Sequence, residues 1–144
     1  MPVVSVRDAA QSDAHALVPL LEALGYPADP PAIRERLRLL TEQDPGGRVL
    51  VAVVADRLIG FLTLHVTPAL HRPTPVGRIT ALSVLPTDRG AGAGRVLVQA
   101  AEVHFRSLGL ARVEVTSGPM HQKAYAFYRH LGYVDQGMRF AREL

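Results

Sequence analysis

The chain has 144 residues, 48% of them hydrophobic and 20% charged, with a net charge of +3. That balance excludes a disordered segment and fits one globular domain spanning 1–144. No apolar run approaches the length of a membrane span, and the absence of cysteine excludes disulfides, thiolate metal sites and a cysteine nucleophile. The N-terminal residues lack the charged and apolar regions of a signal peptide, so the cytoplasm is the expected compartment. Fifteen of the sixteen basic residues are arginines, scattered along the chain. Scatter of this kind lacks the clustered stripe with interleaved aromatics of a nucleic-acid surface.

In chain order, Val3–Arg7 reads as a first strand. Ser12 and Asp13 are helix-start residues before a helix over Ala14–Leu24, stopped by Gly25 and expected to kink at Pro19. Asp29-Pro30 pairs an N-cap with proline at the first helical position and opens a second helix to about Leu40. Asp44-Pro45-Gly46-Gly47 is a turn. Arg48–Ala55 and Leu58–Thr67 are two β-rich runs joined at Asp56-Arg57 as an antiparallel hairpin. Residues 68–77 hold three prolines and form a loop. A fourth strand over Ile79–Val84 ends at Pro86. Apolar Leu97, Ala101, Phe105 and Leu108 at helical spacing predict a helix over Arg95–Leu108, stopped by Gly109. A strand over Arg112–Thr116, a helix over Met120–Leu131 and a closing pair of strands, Tyr133–Met138 and Arg139–Glu143, complete the chain. The order β-α-α-β-β-β-α-β-α-β-β implies an α/β (α+β) domain, one mixed sheet with helices on both faces.

The stretch richest in chemistry is Leu82-Ser83-Val84-Leu85-Pro86-Thr87-Asp88-Arg89-Gly90-Ala91-Gly92-Ala93-Gly94-Arg95, where a strand passes through a small-residue loop into a helix. Three glycines in five positions remove the β-carbons that keep a ligand away from backbone N–H groups. The helix start adds unpaired donors and a partial positive charge, which together suit a phosphate or diphosphate. Arg89 and Arg95 flank this cradle. A P-loop would need Lys-Ser or Lys-Thr after the last glycine, where Arg95-Val96 stands. A dinucleotide fingerprint would need a further glycine where Arg95 or Leu97 stands, although Glu114 lies about where a ribose-binding acid is expected. Downstream, Ala124 and Tyr128 are four apart on one helix face, so a small residue adjoins a phenol. On those residues alone Tyr128 reads first as a half-buried core aromatic with a satisfied hydroxyl.

Taken together, Arg89-x-x-Gly92-x-Gly94 and Ala124-x-x-Phe127-Tyr128-x-x-x-Gly132-Tyr133 in this order resemble the GNAT superfamily of N-acetyltransferases, over nearly the whole chain. The resemblance implies a mostly antiparallel sheet whose fourth and fifth strands splay apart. It also implies acetyl-CoA as co-substrate, with no metal. The backbone of Leu82, Ser83 and Val84 would pair with the pantetheine arm. The N–H groups of Arg89, Gly90, Ala91, Gly92, Ala93, Gly94 and Arg95 would hold the diphosphate. Ala124 and Phe127 would line the arm, with His121 at a position where asparagine is common. Tyr128 would protonate the departing thiolate, a role a phenol can fill at neutral pH. A strand N–H of Leu82 or Val84 would stabilise the oxyanion.

One departure stands out. Many relatives carry a glutamate base on the strand before the glycines, but residues 78–84 contain no carboxylate and Thr80 is the polar residue there. His65, Glu114, His121 and ordered water stay open as bases. The acceptor expected is a primary amine of a small molecule, bordered by loops 25–47 and 68–77. The alternatives are a protein lysine or N-terminal amine, or a non-catalytic CoA-binding module. The resemblance also implies a homodimer, and neither nucleic acid nor membrane is an expected partner.

Overall fold

A computed structural model describes residues 3–116, 122–137 and 139–144. Strands β1 (Ser5–Asp8), β2 (Arg48–Val54), β3 (Arg57–Thr67), β4 (Val76–Val84) and β5 (Val113–Val115) lie side by side in sequence order. The first three pairings are antiparallel and β4–β5 is parallel. Helices α1 (Ala14–Leu24), α2 (Pro30–Glu42), α3 (Ala93–Ser107) and α4 (Gln122–His130) complete the domain. Among the described residues, no helix is long and apolar enough to cross a membrane.

Local chemistry sets the boundaries. The Asp29 side chain accepts from the Ala32 N–H, and Pro30 opens α2, as an N-cap followed by proline should. Gly25 ends α1 in the left-handed conformation. The hairpin turn is Ala55–Asp56, one residue earlier than expected. Both have positive φ (49° and 63°), and that backbone twist matches the twist of the flanking strands. Helix α3 begins at Ala93, so Gly94 is helical, and β4 begins at Val76 inside the expected loop.

Strand alternation divides the core in two. One face buries Leu62, Leu64 and Ile79 against Leu97, Ala101 and Phe105 of α3. The other buries Val49, Val51 and Phe61 against Leu17 and Leu20 of α1 and Ile33 and Leu37 of α2. Helices therefore cover both faces, as the element order implied.

The expected closing strands are absent: the described residues beyond His130 form neither helix nor strand. Met138 lies outside the described residues. Two local contacts account for the difference. Tyr133 is drawn inward, its hydroxyl donating to Glu102 of α3 at 2.7 Å. Asp135 accepts from the Gly137 N–H, and Gly137 has φ of 150°, so a local side-chain bond takes a backbone donor that a strand pairing would use.

Two features of β4 shape the site. Its register with β3 passes from Thr63↔Ala81 to Leu64↔Ile79, so Thr80 is the extra residue of a β-bulge. Its pairing with β5 covers only Gly77–Ile79, and the Thr116 N–H to Ile79 carbonyl bond at 3.1 Å is the last rung. From Thr80 to Val84 that edge has no strand partner among the described residues.

Candidate active site

The glycine-rich loop is anchored before it becomes permissive. Asp88 accepts two hydrogen bonds from Arg57 of β3, at 2.7 and 2.9 Å. The Arg57 guanidinium holds the Asp88 carboxyl below its ordinary range. Gly90 and Gly92 then adopt φ of +91° and +85°, conformations that side chains other than glycine rarely enter. The Gly92 carbonyl accepts from the Val96 N–H at 3.0 Å, the first bond of α3. The N–H groups of Ala93, Gly94 and Arg95 precede any intrahelical acceptor and converge at the helix start. No β-carbon blocks the approach at 90, 92 or 94, so these residues fit a diphosphate.

The two arginines flanking the loop differ. Arg89 folds back, its Nε donating to the Val84 carbonyl at 3.3 Å. Arg95 lines a pocket between α3 and α4 with Gln99, Glu102 and His130.

Successive peptide groups along a strand address opposite edges. The Leu85 N–H reaches the Ile59 carbonyl of β3 at 2.8 Å, which turns the peptide groups of Val84 and Leu82 to the edge that β5 has left. Ser83 behaves differently. It is buried, and its hydroxyl donates to the Leu20 carbonyl of α1 at 2.9 Å. Its side chain therefore pins a helix and is not available to a ligand.

Helix α4 lies against the start of α3. A β-carbon placed on Gly94 would sit 3.2 Å from the Phe127 ring. Tyr128 packs edge-on to Phe127 (centroids 5.1 Å apart) and to Tyr133 (5.8 Å). Burial pushes the Tyr128 phenol up to about 12, so it stays protonated, a donor, at neutral pH. Its hydroxyl has no hydrogen-bond partner among the described residues. Ala124 is half-buried on the same helix.

Past the part of the sheet face that α1 and α2 cover, the sheet carries polar side chains. His65 of β3 stands opposite Arg78 of β4, which in turn stands opposite Glu114 of β5. Arg78 donates to Thr116 at 2.8 Å and lies 3.8 Å from Glu114. Arg112 donates to Glu114 at 2.8 Å. That bond, with the nearby positive charge of Arg78 and Arg72, holds the Glu114 carboxyl below its usual range. His71 and Arg72 from the β3–β4 loop join Arg78 and Glu114 around one open pocket.

The sequence model of the Acetyltransferase (GNAT) family matches residues 14–133. The aminoalkylphosphonate N-acetyltransferase of Salmonella typhimurium is 31% identical over 147 residues, covering 100% of this chain and 94% of that protein. This chain belongs to the GNAT acetyltransferases. The mycothiol acetyltransferase of Segniliparus rotundus is 32% identical over 91 residues, 63% of this chain and 34% of that longer protein. A solved structure titled as a transcriptional regulator from Bacillus halodurans superposes with a TM-score of 0.90 over 99% of this chain and 100% of the other. At 20% identity that likeness shows the fold alone.

The acetyltransferase thus belongs to a family whose co-substrate is acetyl-CoA. Its structure brings together the cradle, the free β4 edge and the Phe127–Tyr128 pair, which sequence placed far apart. His121 lies outside the described residues. Sequence reading missed Asp44, which reaches His65 at 2.7 Å, and the grouping of Arg72 and Arg78 around one pocket. The run Asp44-Pro45-Gly46-Gly47 was the available signal for the first; scattered arginines offered none for the second.

Proposed function

We propose that acetyl-CoA lies along the unpaired edge of β4, pairing with Leu82 and Val84, its diphosphate on the N–H groups of residues 92–95. The observation that carries this reading is the end of the β4–β5 ladder at Ile79↔Val115. Among the described residues it leaves the Leu82 peptide groups and the Val84 N–H without a strand partner between the cradle and the polar face, while the Val84 carbonyl accepts from Arg89. The thioester then comes near Thr80. A strand N–H faces the carbonyl oxygen as charge develops there, a donor already held in place when the charge appears. Tyr128 delivers its proton to the sulfur as the carbon–sulfur bond breaks. No enzyme nucleophile is required.

The acceptor is a small primary amine, in keeping with the names of the relatives that act on aminoalkylphosphonates and mycothiol. The pocket that Arg72 and Arg78 line suits an anionic group on that amine. Two guanidiniums there face one carboxylate already held by Arg112.

Acetyl-CoA titrated by calorimetry, with CoA release measured over a panel of amines, tests the reading. The expected result is binding and turnover of short amines. Absence of both binding and turnover overturns it.

A further inference from the structure

We propose that Asp44, His65 and Thr80 form a hydrogen-bonded chain that removes the proton from the acceptor nitrogen. The chain supplies from a loop the carboxylate that β4 lacks, and the proposal rests on the amine-acetylation reading above. The Asp44 Oδ2 lies 2.7 Å from His65 Nδ1, and His65 Nε2 lies 3.1 Å from Thr80 Oγ1. A carboxylate only accepts, so it fixes the imidazole proton on Nδ1 and leaves Nε2 as a lone pair. Thr80 then donates to Nε2 and turns its oxygen lone pairs toward whatever N–H approaches.

Position agrees with this role. Thr80 is the bulge residue, and bulges redirect side chains next to active sites. It is also exposed, and it sits where β5 leaves β4. Arg78 opposite His65 directs its guanidinium to Thr116 and Glu114, so the neighbouring positive charge is drawn toward β5.

The loop bearing Asp44 is built around this contact. Asp44 Oδ1 accepts from the Gly46 N–H at 3.1 Å, and its carbonyl accepts from the Gly47 N–H at 2.9 Å. A β-carbon on Gly46 would sit 2.9 Å from the Val66 β-carbon of β3. One on Gly47 would sit 2.8 Å from Asp44 Oδ2, the oxygen that meets His65. The two glycines let the turn close onto β3 and leave room for the carboxylate.

The step balances. The amine lone pair forms the N–C bond while the carbonyl electron pair moves onto oxygen. The nitrogen, now cationic, gives one proton to Thr80 Oγ as the proton of Thr80 passes to His65 Nε2. The oxyanion pair returns to re-form the carbonyl as the C–S bond breaks with its electrons on sulfur, which takes the Tyr128 proton. Imidazolium and phenolate reset by moving one proton through solvent.

The test is steady-state turnover of His65→Gln, Asp44→Asn, Thr80→Val and Thr80→Ser with a strongly basic alkylamine and with a weakly basic one. Acetyl-CoA affinity is measured alongside. Removal of a general base costs on the order of a hundredfold or more. His65→Gln and Thr80→Val should lose that much kcat on the strongly basic amine, Asp44→Asn less, and Thr80→Ser only a few-fold, with acetyl-CoA affinity unchanged. On the weakly basic amine, whose adduct loses its proton to water unaided, the losses should shrink by about tenfold or more. Wild-type rates in His65→Gln and Thr80→Val, or equal losses on both amines, overturn the proposal. A wild-type protein that turns over no amine instead overturns the acetylation reading beneath it.

Discussion

The Phe127 ring closes on the backbone of Gly94, so that a β-carbon at 94 would lie 3.2 Å from Cζ and 3.4 Å from Cε1. That contact joins the cradle to the helix that carries Tyr128. In Gly94→Ala, α4 must withdraw by a few tenths of an ångström while α3 gains about 0.5–1 kcal/mol of helix propensity. The two effects oppose each other in stability but not in turnover. We expect a melting temperature within a few degrees of wild type and a kcat lowered about tenfold, partly restored by adding Phe127→Leu. Thermal denaturation with steady-state kinetics measures both.

At Gly92 the cause is different. A β-carbon there meets nothing within 4 Å, and the penalty comes from φ of +85°. Holding an alanine in that region costs about 1–2 kcal/mol. Gly92→Val should weaken acetyl-CoA binding more than it weakens folding, because added bulk beside the helix start would keep a ligand from approaching the backbone closely. A folded variant of unchanged affinity in calorimetry speaks against the cradle.

Much of this arrangement was legible in the chain because the cues are local. Gly90, Gly92 and Gly94 announce backbone access, Asp29-Pro30 announces a helix start, and apolar spacing announces α3. What stayed hidden depends on distant pairing. Nothing near Thr80 signals a bulge, since the extra residue appears only when β4 is set against β3. Asp44 reads as a turn residue until the turn packs on β3. The closing strands failed because Tyr133 satisfies its ring and hydroxyl on Tyr128 and Glu102, a tertiary contact that overrides local strand preference.

Burial raises the Tyr128 phenol from 10.0 to about 12, which ties folding stability to alkaline pH. The folded pKa exceeds the unfolded one, so the associated stability is fully present below about pH 10. It is lost as pH rises from there through about 12, because the unfolded chain ionises first. Tyr128→Phe should show a shallower decline in stability between pH 9 and 12, measured by denaturant unfolding. The same variant should lose roughly two to four orders of magnitude in kcat at neutral pH, with acetyl-CoA affinity retained.

Ser83 lies inside the edge that would carry the pantetheine arm, yet its hydroxyl serves α1 through the Leu20 carbonyl. Ser83→Ala removes a second donor from a carbonyl that already lies within the helical ladder of α1, at a cost of about 0.5–1.5 kcal/mol. The backbone of β4 is unchanged by the substitution. Urea unfolding should therefore register the loss while the KM for acetyl-CoA stays within about twofold. A large rise in KM at full stability would mean that the hydroxyl faces the ligand.

Arg72 extends from the β3–β4 loop into the pocket shared with Arg78 and Glu114, and it has no ion-pair partner among the described residues. Arg78 is committed to Thr116 and Glu114, which leaves Arg72 as the more available charge. Opposed residues on adjacent strands have β-carbons about 5 Å apart, so an anionic group near Arg72 and Arg78 and an amine near Thr80 and His65 call for a short acceptor. A short aminoalkylphosphonate should then be acetylated with a kcat/KM about tenfold or more above that of a neutral amine of equal length. Charge-assisted hydrogen bonds contribute about 1.5–3 kcal/mol each. Arg72→Ala should reduce the ratio between the two substrates toward unity by raising the KM for the phosphonate. An unchanged ratio would place the anionic group elsewhere on the face.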